Sequence, residues 1–181
     1  MTTAVSACAL VVLAAVVFDV ATRRIPNIVT LGGVVAGLAI QTAIGFVDGG
    51  ALAALRGLGF ALVGVLAVGA IPFLAWKRSE MGGGDVKLFA AIGALVGPAI
   101  GFDVLAFTFT ASLLVLFPYR LLRHRAVGLA VKNTGIGLRN LLRARSARHP
   151  YLTGPKLPPV ILAPTIGVAF ALAVLHHGVL R

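Results

Sequence analysis

From Met1 to Phe18 the chain carries no charged side chain, and apolar runs recur along it, at about 4 to 20, 28 to 47, 51 to 76, 88 to 101, 104 to 119 and 157 to 178. This repetition constrains the fold more than any single motif. Of 181 residues, 59% are hydrophobic and 12% charged, and the mean hydropathy is +1.02. So little polar material cannot cover a soluble globule, whereas a polytopic membrane protein needs no such cover. Backbone polar groups in hydrocarbon must be paired within their own segment, so the expected fold is all-α: a polytopic membrane helical bundle forming one domain over residues 1 to 181. Glycines support close helix packing, because Gly33 and Gly37, and then Gly93, Gly97 and Gly101, recur at four-residue spacing inside apolar runs.

The positive charges orient the bundle. Arg23 and Arg24 follow the first run instead of preceding it, which is the reverse of a secretory signal peptide, so that run is expected to be a retained helix. Six spans with both termini outside then place fourteen of the sixteen Lys and Arg on one side, taken as the cytoplasm, the exceptions being Arg56 and Arg181. The expected location is the inner (plasma) membrane. Spans four and five are short for a crossing of about 20 residues, which leaves a re-entrant hairpin open as an alternative; Pro98, Gly101 and Asp103 are the expected breaks. Trp76 and Tyr119 read as interfacial anchors.

The segment from about 120 to 156 is basic, with Val127, Leu129, Ile136 and Leu141 among its charges, a pattern that lies on anionic lipid. Membrane lipid is therefore an expected partner. Nucleic acid is not, because no reader motif or aromatic platform accompanies the charge. Cys8 is the only cysteine, and His124, His149, His176 and His177 have no evident metal-site partners, so neither metal nor cofactor is expected.

Two carboxylates stand out against this background. Asp19 ends the first run and is followed by Arg-Arg-Ile-Pro-Asn; Asp85 follows Gly82, Gly83 and Gly84 where the fourth run begins. Span one runs outward to inward and span four inward to outward, so both carboxylates are expected at one depth, on the cytoplasmic boundary. Two carboxylates brought close tend to share one proton, which is the equipment of an aspartic protease. Three glycines before Asp85 let the backbone adopt unusual dihedrals and approach another chain closely.

Asp19 with Arg-Ile-Pro-Asn, and Gly-Gly-Gly-Asp-Val-Lys from Gly82 to Lys87, resemble the two catalytic motifs of the type IV prepilin peptidases, in the GxGD class of membrane aspartic proteases. The proline-bearing run from Lys156 is similar to that family's last helix. The resemblance implies Asp19 and Asp85 as catalytic dyad, with Gly82 and Gly84 as fixed glycines and Lys87 as a basic motif position. Gly83, Arg24, Pro26 and Asn27 are the expected shapers of the site. It further implies a pilin or pseudopilin precursor as substrate, cut after a short basic leader at the membrane boundary. The cysteine-rich cytoplasmic segment associated with N-methylation is missing, so the chain looks like the short peptidases of tight-adherence (Flp-type) pili, without methyltransferase activity. Glu80 lies outside the motif and is expected to be solvated. The rival readings are a proton-coupled small transporter, whose carboxylates belong nearer the membrane midplane, and a noncatalytic pilus assembly factor.

Overall fold

Helix α1 spans Thr2–Thr22 and stops for a local reason. Thr22 Oγ1 donates to the Phe18 carbonyl at 2.8 Å and to the Arg24 carbonyl at 3.0 Å, and Arg23 takes a left-handed φ of 53°. A left-handed residue just past a helix end turns the chain away, at a cost of about 1–2 kcal/mol when it is not glycine. Pro26 follows, and its carbonyl accepts the N–H groups of Val29 and Thr30 at the start of α2. In this computed structural model, which describes residues 2–77, 81–116, 118–119 and 162–178, all regular structure is helical.

Helix α2, Asn27–Lys77, is broken at Gly49 and Gly50, the latter at φ 71°. The break is a tight reversal: a Cβ on Gly45 would strike the Ala53 carbonyl, and one on Gly57 the Gln41 carbonyl. Limbs 27–48 and 51–77 are therefore antiparallel and touch backbone to backbone. Helix α3, Gly83–Ala111, is broken at Gly97, with φ 79°. Gly93 and Gly101, on either side, both meet the side chain of Val68, so the helix bends sharply there. The expected breaks need correction on this point. Pro98 adjoins the break, but Gly101 and Asp103 stay helical, because the positive φ at Gly97 and the missing N–H of Pro98 already take up the turn. A π-helix at Ser112–Leu116 and helix α4, Ala163–His176, complete the described elements.

Helices α1, α2 and α3 are long and apolar enough to cross a membrane; α4, with 14 residues, is shorter. They form a compact unit, Met1–Phe109 with Ile161–Arg181, and Thr110–Val160 forms another. Within the first unit α3 is central. Fourteen of its 29 residues are buried, among them Leu88, Phe89, Ile92 and Leu95, whereas α2 buries eight of 51, and four of those eight are glycine. Leu66, Ile28 and Val47 instead point outward. Small residues inside and large apolar ones outside suit a lipid solvent, where backbone approach and not burial of Leu or Ile holds helices together. At the closest contact, a Cβ on Gly64 or Gly93 would collide with the other's carbonyl oxygen. Gly167 lets α4 pack on Val12 and Val16 of α1. The basic stretch at 120–156, with His124 and His149, and Glu80 lie outside the described residues.

Candidate active site

Asp19 sits in the last turn of α1 with 7% of its surface exposed. A negative charge there opposes the dipole of its own helix. Compensation comes from α4, whose first residue, Ala163, donates its backbone N–H to Asp19 Oδ2 at 3.2 Å. The first N–H groups of a helix have no partner inside it, and Pro164, next in line, has none to offer. Asp19 thus caps α4 from another helix and takes up its positive end.

Asp85 stands in the first turn of α3. The Gly82 N–H donates to its carboxyl group, and the Asp85 carboxyl lies within electrostatic reach of Asp19. Two helix N-termini, those of α3 and α4, therefore converge on a pair of carboxylates. Such an arrangement offsets part of the cost of bringing two negative groups together.

The three glycines before Asp85 have three different neighbours. A Cβ on Gly82 would come within 2.9 Å of Asp85 Oδ2 itself; on Gly84, within 3.3 Å of Ile25 Cβ; on Gly83, within 3.4 Å of Trp76 Nε1. Gly82 thus sets the carboxylate position, and Gly84 lets the turn after α1 pack on α3. Trp76, read from the sequence as an interfacial anchor, also covers Gly83. Lys87 Nζ donates to Asn27 Oδ1 at 2.8 Å, tying the second motif to the Arg-Ile-Pro-Asn turn. Pro26 shapes that turn through its carbonyl; Arg24 contributes its carbonyl, and its side chain is exposed.

Ala163 escaped the sequence reading, and Ile25 entered it only as part of the Arg-Ile-Pro-Asn motif. A backbone donor has no side-chain signature, and the sole hint was Pro164, a helix-start residue close behind Ala163. Among the described residues the set of His, Cys, Asp and Glu able to share a metal ion is Asp103, His176 and His177. It stands apart from Asp19 and Asp85. The two histidines, which had no evident partner in the sequence, find one in Asp103, 73 and 74 residues away.

The family model of the type IV leader peptidases matches residues 6–119, a stretch that contains Asp19, the Ile-Pro-Asn turn, the glycine triplet and Asp85. The chain belongs to the type IV leader peptidase family. No curated protein and no solved structure matches it. As a prepilin-type leader peptidase it is a protease, and a pilin-like precursor is its class of substrate. The match ends at residue 119, so α4, which supplies the N–H group to Asp19, lies beyond the part of the leader peptidase that the family model covers.

Proposed function

We propose that this leader peptidase is an aspartic endopeptidase of the GxGD class, with Asp19 and Asp85 as its catalytic pair. One observation carries the reading: two carboxylates 66 positions apart in sequence come within electrostatic reach at helix ends, each taking a backbone N–H. With one proton between them, the ionised carboxylate removes a proton from water as the water oxygen attacks the scissile carbonyl carbon. The protonated one gives its proton to the carbonyl oxygen. The resulting gem-diol then collapses: a hydroxyl proton returns to one carboxylate, the other protonates the leaving nitrogen, and the C–N bond breaks. Because the pair works singly protonated, cleavage rate should follow a bell-shaped pH profile whose two limbs belong to the dyad as a unit.

The topology proposed with this chemistry has six passages and both termini outside, with the active site at the cytoplasmic face of the inner membrane. Support comes from the cations at Arg23, Arg24, Lys77 and Lys87, which flank both carboxylates, and from α2, whose antiparallel limbs of 22 and 27 residues each exceed the ~20 needed for a crossing. Of the two limbs of α3 flanking Gly97, 83–96 is about 20 Å long, short of the ~30 Å core, so the alternative to two full passages here is a re-entrant hairpin, which would leave four passages and both termini still outside. The substrate is a pilin or pseudopilin precursor whose short basic leader stays cytoplasmic, and no methyl transfer follows cleavage. Lipid contacts the exposed apolar faces. A proton-coupled transporter would hold its carboxylates nearer the midplane.

The test is co-expression with a candidate prepilin in cells lacking other prepilin peptidases. Asp19→Asn and Asp85→Asn should each abolish the shift to the shorter form at normal membrane abundance. Full processing by either variant would sink the aspartic mechanism, and no processing by the unaltered chain would return the noncatalytic assembly role to consideration.

A further inference from the structure

At the end of α4 away from Asp19, about 20 Å along the helix from Ala163, three further ionisable side chains converge. His176 Nδ1 lies 3.1 Å from Asp103 Oδ2, and His177 Nε2 lies 2.8 Å from the same oxygen. All three ligand atoms fall within 4.8 Å of one another. We propose that Asp103, His176 and His177 form a binding site for a zinc-like divalent transition-metal ion.

The geometry suits that class of ion. Zinc sits about 2.0–2.2 Å from imidazole nitrogen and carboxylate oxygen, so tetrahedral ligand atoms stand about 3.4 Å apart. The two short edges need to open by only a few tenths of an ångström, and the third has room to close. Two imidazoles and one carboxylate favour zinc, cobalt, nickel or copper over calcium or magnesium, which want oxygen. Three protein ligands leave a fourth position for water.

The ligands are also held in place before any ion arrives. Asp103 is inside α3, His176 is the last residue of α4, and His177 caps that helix with its N–H on the Ala173 carbonyl. The His176 ring packs edge-on against Phe107, centroids 6.4 Å apart, and against His177 at 5.4 Å. All three side chains remain reachable, with Asp103 33%, His177 31% and His176 67% exposed.

Position gives the site a consequence. Helix α3 carries both Asp85 and Asp103, and α4 carries both the Ala163 N–H and the two histidines. An ion bridging them would tie the limb of α3 beyond Gly97 to the far end of α4, and so would raise the melting temperature of the unit.

The experiment uses the full chain in detergent, purified through a tag without histidine and stripped with chelator. Zinc chloride is titrated in competition with a chromophoric zinc indicator, and cobalt chloride is added separately to read the visible absorption of a four-coordinate ion. One zinc per chain is expected, with at least a tenfold loss of affinity in His177→Gln and in Asp103→Asn, and a melting-temperature rise with zinc that both variants lack. If Asp103→Asn does not fold, His176→Gln, which changes the most exposed ligand, decides by the same readouts. No zinc bound at about 100 μM, or binding unchanged in the His176→Gln, His177→Gln double variant, would overturn the proposal.

Discussion

Ionisable clusters form at two places along α3 and α4, and they are built in opposite ways. At the Asp19 end the carboxylates are held by backbone: Ala163 N–H on Asp19, Gly82 N–H on Asp85, with Asp19 almost fully buried. At Asp103 a one-third exposed carboxylate is held by two imidazole rings and, among the described residues, by no backbone N–H. Backbone donors belong to the helices and cannot swing away, so the first site is preorganised in the way chemistry requires. At the second site the side chains are held at the end of α4 but stay partly exposed, so a guest can reach them.

The comparison breaks first, and most heavily, at the aspartates. Asp19→Asn or Asp85→Asn should lower prepilin cleavage by on the order of 10⁴-fold, with the double variant scarcely worse than either single one, because the groups act as a unit. Gel-shift assays of precursor processing, normalised to membrane abundance, read it directly. Additive losses would mean that the two carboxylates do separate jobs.

Next in size come the glycines. Gly82→Ala should cost roughly ten- to a hundredfold in cleavage, since its Cβ displaces the Asp85 carboxylate; about 1 Å of misplacement can have that effect. Gly84→Ala should cost severalfold through Ile25, and Gly83→Ala least, its neighbour Trp76 being half-exposed and free to give way. Equal effects at all three would show that flexibility, and not position, is what the triplet supplies.

A smaller effect is expected at Lys87. Its bond to Asn27 is solvent-exposed and worth about 1 kcal/mol, so Lys87→Met and Asn27→Ala should each reduce cleavage only a fewfold, and together no more than either alone. Smallest of all, Asp103→Asn measured without metal should change unfolding free energy by about 1 kcal/mol or less, as exposed ion pairs do. A loss of several kcal/mol there would mean that the far end is a structural lock and erase the contrast drawn above.

Much of this architecture was legible from residue order. Apolar runs placed α1 and both limbs of α2, because lipid demands unbroken apolar length, and Gly49-Gly50 falls in the gap between two of them. Asp19 and Asp85 were legible because a carboxylate next to an apolar run is costly and conspicuous. What could not be read depends on pairing across the bundle. Asp103 looked like a helix breaker because nothing nearby answers its charge; its partners lie 73 and 74 residues on. The break fell at Gly97 and not at Gly101, though both are glycines in one apolar run, because Pro98 directly after Gly97 has no N–H to continue the ladder. Ala163 was invisible, since its contribution is a backbone group.

The hydrogen bond from Ala163 to Asp19 joins residues 144 positions apart, and this has a bearing on how the protein comes into being. Asp19 leaves the ribosome early and enters the bilayer with its own helix dipole against it, long before α4 exists. Until that helix is delivered, the carboxylate has no positive helix end to rest on and its natural refuge is the water at the membrane surface. The bond that Asp19 makes in its buried place is therefore complete only once the late part of the chain has arrived.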